Sequence, residues 1–313
     1  MAKILITGGA GFVASHLADK LIEDKNNFVV IVDNLSTGKK ENLPKKSKEN
    51  WLFIKADANE YREISEIMLG HKFDYVFHYA ALVGVLRTQA NPVKVLRDIE
   101  GIKHILNISK STGVKRVYFS SSSEVYGEPV ELPQHELTTP LNSRVPYAVV
   151  KNVGEAFLRS YQQEFGLEYT IFRFFNTYGP RQSKDFVMSK FLYAALNNRD
   201  ITIYGDGSQT RTFCYVEDNV GACVKAFYEN KIINDVINIG GESEITMLEL
   251  ANLIIELSGS SSKIIHLPKL KEGDMTRRCP DNSKMKDLLD REMLPLKAGI
   301  VKLLESKQFV SAV

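Results

Sequence analysis

The chain has little cysteine, almost no excess charge and no long apolar run, and each shortage removes a class of protein. Cys214, Cys223 and Cys279 are its three cysteines, an odd number without metal-ligand spacing. They exclude a disulfide framework, give no reason to expect a metal, and fit a reducing cytoplasm. A net charge of +2 offers no field for a polyanion, so no nucleic acid partner is expected. The basic run Lys39, Lys40, Lys45, Lys46 and Lys48 reads as a solvated loop. No apolar stretch approaches the roughly 20 residues that cross a bilayer, so no membrane segment is expected. The first strand begins at Lys3-Ile4, which leaves no room for a signal peptide. A Gly/Ser linker, an internal repeat and a low-complexity tract are also missing. What remains, 44% hydrophobic and 25% charged, is the composition of an ordinary globular protein, and 313 residues suffice for one large domain or two smaller ones.

The most informative stretch is Ile4 to Leu17, followed by Phe28 to Asp33. An apolar strand runs into the glycine turn Gly8-Gly9-Ala10-Gly11, and the turn opens a helix at Phe12-Val13 whose unpaired N–H groups can receive a pyrophosphate. Gly8 permits the tight turn and Gly11 lets a cofactor approach the backbone. Ala14 stands where a third glycine would allow close helix–strand packing, and it is small enough to do so. Asp33, at the end of a second strand and 22 residues after Gly11, can accept hydrogen bonds from an adenosine ribose. Its charge would repel a 2'-phosphate, which favours NAD over NADP.

Strand candidates at 3–7, 28–33, 51–55, 74–79, 115–121 and 168–174 alternate with helix-like segments around 12–24, 59–69, 91–111 and 147–165. That alternation predicts an α/β fold, a doubly wound parallel sheet of the Rossmann type with helices on both faces. Ligands of such sheets bind beyond the carboxyl ends of the strands. Gly8 to Gly11, Asp33, Asp57, Ala80-Ala81, Ser120 to Glu124 and Asn176 all follow strand candidates. After residue 176 the segments shorten and turns multiply. Residues 1–176 are therefore expected to form the dinucleotide-binding domain, with 212–240 returning to it, and 177–211 and 241–313 a smaller C-terminal α/β substrate domain.

Tyr147 and Lys151 are four apart at the start of a predicted helix, so both face the same way. A tyrosine ionises near pH 10, and a nearby ammonium and a cofactor cation both favour its phenolate, making Tyr147 a candidate acid/base. Upstream, Phe119 to Gly127 forms a hydroxyl-rich strand end, Ser120 to Ser123, closing on Glu124. By itself it could be a polar loop with Ser122 as a helix cap.

Together the glycine turn, the serine run and the Tyr/Lys pair resemble the extended short-chain dehydrogenase/reductase family, in its nucleotide-sugar epimerase/dehydratase branch. The resemblance runs from Thr7 to about Asp281 and includes Asp33 to Gly38, His78-Tyr79-Ala80-Ala81, Arg173 to Arg181, Tyr204 to Gly207 and Arg211 to Asp218. It implies bound NAD held by Gly8, Gly11, Phe12, Val13, Asp33, Asn34, Ser36, Thr37, Gly38, Asp57, Ala58, Tyr79, Ala80, Ala81, Ser120, Tyr147, Lys151 and Phe174. It implies a nucleoside diphosphate-sugar held by Ser122, Ser123, Asn176, Arg211 and the pair Arg277 and Arg278, of which either could point inward; guanidinium forks suit phosphate oxygens. It also implies a homodimer, built on the helix carrying Tyr147 and the one near 91–111. Val149, Val150, Val153, Phe157 and Leu158 would serve either that contact or the inner face of a helix on the sheet.

In this branch Tyr147 would take the proton of the sugar 4-hydroxyl while C4 is oxidised. The 4-keto sugar can then be reduced from the other face, lose water across C5 and C6, or lose a C6 carboxylate as carbon dioxide. Glu124 stands where dehydratases and uronate decarboxylases of the family carry glutamate, and a carboxylate beside C5 can act as a base. Ser123 stands where one dehydratase type has an acid. The expected catalytic set is Ser122, Glu124, Tyr147 and Lys151. Leu82-Val83-Gly84-Val85 replaces polar residues that many relatives use to touch the sugar. The competing readings are a 4-epimerase, in which Glu124 merely binds the sugar, and a noncatalytic NAD-binding sensor.

Overall fold

A strand covered on both faces needs apolar side chains in succession, because neighbours point to opposite sides. β1 (Ala2–Thr7) shows this directly. In the computed structural model, which describes residues 1–45, 49–269, 275–306 and 309, Ile4 and Ile6 enter the core on one face and Leu5 the core on the other. β2 (Asn27–Asp33), β3 (Trp51–Lys55), β4 (Tyr75–His78), β5 (Arg116–Ser122), β6 (Glu168–Phe174) and a last strand at Asp235–Ile239 complete a seven-stranded sheet. All its pairings are parallel, in the order Asp235–Ile239, β6, β5, β4, β1, β2, β3. Crossover helices produce that order, and the chain reverses its direction of strand addition between β1 and β4. The crevice above those two strand ends is where such sheets bind ligands.

On one face lie α1 (Phe12–Leu21) and, later in the chain, the helix Val216–Tyr228, packed on Ile4, Val29 and Ile237. On the other lie α2 (Tyr61–His71), α5 (Asp98–Thr112) and α6 (Pro146–Phe165), packed on Leu5, Val30 and Val117. The helix expected at 91–111 starts at Pro92 and is interrupted by a turn at Arg97. Asn91 precedes a proline and is non-helical (φ −134°), so α3 (Val85–Ala90) ends there and α4 (Pro92–Leu96) restarts with Pro92, followed by α5. Within α6, Val150 and Leu158 are buried on the sheet side and Phe157 packs partly against the same core. These three serve the fold.

A third core gathers Met188, Phe191, Ile201, Leu250, Ile254 and Leu303 from later segments around short strands. Of those, Thr210–Thr212 pairs with Glu244–Thr246 and with Arg277–Arg278. The segments 216–228 and 235–239 thus pack on and extend the first sheet, while the short strands lie beyond its carboxyl end. Cys214 and Cys223 are buried thiols and Cys279 is half-buried, all free. Lys39, Lys40 and Lys45 are exposed, whereas Lys46 and Lys48 lie outside the described residues. Among the described residues no helix is long and apolar enough to cross a membrane, and no three His, Cys, Asp or Glu are grouped to hold a metal ion.

Candidate active site

The crevice is defined by how closely backbones approach. Gly8 has φ +69°, and a Cβ there would lie 2.7 Å from the Cα of Ala80. Only glycine lets the loops after β1 and β4 meet. Thr7 joins them too: its Oγ1 lies 2.8 Å from His78 Nδ1 and accepts the Ala80 N–H at 3.2 Å. A Cβ on Gly11 would lie 2.9 Å from the Gly8 carbonyl. Gly11 caps α1 and has no side chain to bond the first N–H groups of that helix, at Phe12 and Val13.

Asp33 closes the next strand. Its Oδ2 accepts the Ala10 N–H at 3.0 Å and its Oδ1 the Leu35 N–H at 2.7 Å, while a Cβ on Gly38 would collide with the carboxylate. Burial raises the Asp33 pKa, with the two N–H groups opposing. Asn34 donates to Asp57 Oδ2 at 3.1 Å and receives the Ser36 N–H, so the tips of β2 and β3 are joined; Ser36 and Thr37 lie exposed beside them, and Ala58 is buried. Tyr79 departs from expectation in one respect. Its hydroxyl donates to Cys223 Sγ and its ring meets Phe77 and Phe174 edge-on, so side chain and partner serve the core while its backbone faces Gly8. A glycine cradle, an uncapped helix start and a carboxylate at the second strand end fit a dinucleotide.

The reacting end lies at the mouth of β5. Ser122 lies beside Tyr147, whose phenol pKa it lowers, and caps the following 3₁₀ turn by accepting the Glu124 N–H at 3.2 Å. The cap and a place beside the tyrosine are thus compatible. Lys151 Nζ reaches Ser120 Oγ at 3.4 Å and sits 4.9 Å above the Phe119 ring and 5.7 Å from the Tyr147 ring centre. Burial pushes the Lys151 ammonium down to about 8, with Asp98 opposing. Burial and the Glu124 carboxylate raise the Tyr147 phenol, while Ser122 and Arg278 lower it. Among the charges acting on this phenol, Arg278 is a cation not expected there from the sequence.

Arg278 is the inward arginine. Its Nη2 pairs with Glu124 Oε1 at 2.9 Å, both side chains nearly covered, and its Nε is buried without a hydrogen-bond partner. Alternation along the two-residue strand turns Arg277 the other way, to an exposed pair with Glu244 at 2.6 Å. Arg211, in register beside Arg278, is buried and donates to the Thr210 carbonyl. Asn176 adopts φ +32° and donates Nδ2 to the Thr212 carbonyl at 2.9 Å. Ser123 is buried in the turn between Ser122 and Glu124. The pairing of Glu124 with Arg278 had no local signal, since 154 residues separate them.

The profile of the "NAD dependent epimerase/dehydratase family" matches residues 4–240. The chain belongs to that family. Its cofactor is NAD, and the family is one of NAD-dependent enzymes. UDP-glucuronic acid decarboxylase 3 of Arabidopsis thaliana is 37% identical over 308 residues, covering 94% of this chain and 87% of that protein. UDP-glucose 4-epimerase of Thermotoga maritima, solved with UDP-glucose, superposes with a TM-score of 0.90 at 35% identity and 97% coverage of both chains. The dTDP-glucose 4,6-dehydratase DesIV of Streptomyces venezuelae, solved with NAD, gives a TM-score of 0.90 at 26% identity, covering 98% of this chain and 97% of that one. Relatives with three reactions thus share one frame.

Proposed function

We propose that this chain is a UDP-glucuronate decarboxylase-type enzyme, acting from the reducing interior of the cell as a homodimer through α5 and α6. The observation that carries the reading is the Glu124–Arg278 pair beside Tyr147. In the proposed arrangement NAD lies along the crevice from Asp33 to Lys151, and the nucleotide diphosphate lies between the main sheet and the later segments, near Arg211. The bound nicotinamide supplies a reversible hydride acceptor at the sugar C4.

Tyr147, as the phenolate that a bound nicotinamide cation would favour, takes the 4-hydroxyl proton, and Ser122 holds the oxygen it comes from. A 4-keto sugar bearing a C6 carboxylate is a β-keto acid. Breaking its C5–C6 bond releases carbon dioxide and sends the electron pair to the C4 oxygen, where Tyr147 and Ser122 donate hydrogen bonds to the developing charge. C5 then takes a proton from solvent, relayed by Glu124 after its carboxylate has picked one up. A guanidinium with one buried, unpartnered N–H suits a carboxylate in that position. Elimination of a C6 hydroxyl would instead need a neighbouring acid, and Ser123 provides none.

The test is incubation with UDP-glucuronate, UDP-glucose, dTDP-glucose and GDP-mannose and catalytic NAD in deuterated water, followed by proton NMR. Loss of the C6 carboxylate with one deuterium at C5 is expected. A 6-deoxy-4-keto product would make Glu124 a dehydratase base. Inversion at C4 without deuterium would make the chain an epimerase, and silence on every substrate would return the noncatalytic reading.

A further inference from the structure

One buried carboxylate near the acid–base pair has no part in the chemistry above. Asp98 opens α5 and is 8% exposed. Both its oxygens accept: Oδ2 takes the Leu82 N–H at 2.7 Å, and Oδ1 takes the Asn59 side-chain amide at 3.0 Å. Leu82 directly follows Ala80-Ala81 on the loop after β4. Asn59 follows Asp57 on the loop after β3 and donates its own N–H to Asp57 Oδ1 at 2.9 Å. One side chain therefore fastens two loops that border the cofactor crevice, and through Asp57 and Asn34 the tie reaches the tip of β2 as well.

Its height along α5 matters as much. A Cβ on Gly154 of α6 would lie 3.1 Å from the Ile102 side chain of α5, so the two helices touch at that level. Both follow strands of one parallel sheet and run the same way. One turn back along each leads from Ile102 to Asp98 and from Gly154 to Val150-Lys151. The buried carboxylate and the buried ammonium thus stand at the same level.

We propose that Asp98 is a positioning residue of the acid–base centre: its carboxylate ties the β3 and β4 loops together and sets a fixed negative charge opposite Lys151. The inference rests on the assignment of Tyr147 and Lys151 made above. The groups facing the pair are His78 from β4, Ser120 and Ser122 from β5, Glu124 from the 3₁₀ turn and Arg278 from the last short strand. His78 is held neutral above about pH 3 by burial and by Lys151 itself, and so adds no charge there. Glu124 and, less, Asp98 raise the phenol against Arg278, whereas Asp98 is the carboxylate that opposes the burial of Lys151.

Charge and tether can be separated. Asp98→Asn removes the charge but keeps an acceptor for Leu82, and its amide can bond a rotated Asn59. Asn59→Ala removes a tether and leaves the charge. The readout is the NMR titration of the apoprotein carrying 13Cε-lysine, with the Lys151 signal identified by its loss in Lys151→Arg. The wild-type midpoint is expected near pH 8, from the lowered value of about 8. In D98N it is expected to fall by about one unit, the scale of losing one neighbouring charge in a medium of intermediate dielectric. In N59A it is expected to stay, while the dissociation constant for NAD rises about tenfold. An unchanged midpoint in D98N overturns the charge role. A fall in N59A as large as in D98N overturns it too, because the midpoint would then follow loop geometry; this arm decides even if D98N does not fold. The titration needs no sugar, so failure of the proposed reaction would leave its outcome readable.

Discussion

Two buried glutamate–arginine pairs flank strand β5, and they are built for opposite purposes. Behind the strand, Glu155 meets Arg173 through two hydrogen bonds of 2.9 and 2.7 Å, and Ser121 and Arg159 also bond the carboxylate. Arg173 spends its remaining fork on Tyr126 and the Glu136 carbonyl. Neither side chain is more than 1% exposed. In front of the strand, Glu124 meets Arg278 through one bond, and the guanidinium keeps a buried N–H without a partner. A saturated pair holds one geometry. An unsaturated one at a crevice can exchange a partner for a ligand at little structural cost.

The sharpest way to break this contrast is Glu124→Gln. Under the proposed reaction turnover falls by roughly 10²–10⁴-fold while thermal stability stays near wild type; if turnover survives, Glu124 only binds sugar and the epimerase reading gains. Glu155→Ala should do the reverse. It strands Arg173 as an uncompensated buried charge and costs about 3–5 kcal/mol in urea denaturation, whereas a variant as stable as wild type would erase the distinction between the pairs.

Lys151→Met probes the same trade between stability and chemistry. Burial lowers the ammonium to about 8 against an ordinary value of 10.5, so the folded state binds its proton less readily than the unfolded chain. That penalty is absent above pH 10.5, grows as the pH falls towards 8, and is complete below it. The variant should therefore be inactive yet more stable by about 1–3 kcal/mol at pH 7, with the gain vanishing above pH 10.5. A gain independent of pH would point to packing instead. The smallest effect is expected at Arg277, whose exposed pair with Glu244 lies on the other side of its strand. Arg277→Ala should leave stability near wild type and KM within about twofold; a large rise in KM would show that both arginines reach the substrate.

Much of the frame was legible because its signals are local. The apolar runs of β1 to β6 needed only the rule that a doubly covered strand is apolar throughout. The uncapped start of α1, the carboxylate at the end of β2 and the four-residue spacing of Tyr147 and Lys151 each lie within one strand–turn–helix unit. The helix start at Pro92 was legible from proline chemistry, whereas the separate helix α3 before it and the turn at Arg97 carried no such local signal.

By itself the sequence determined a parallel doubly wound sheet, a dinucleotide cradle and a tyrosine–lysine pair on one helical face, since each is encoded by residues within one unit of local structure. Only the tertiary structure decided that Arg278 and not Arg277 meets Glu124, that the Tyr79 hydroxyl belongs to Cys223, and that Asp98 fastens two loops level with Lys151. Those partners lie 16 to 154 residues apart or are set by how whole helices dock on the sheet. No periodicity or spacing in the chain carries that information.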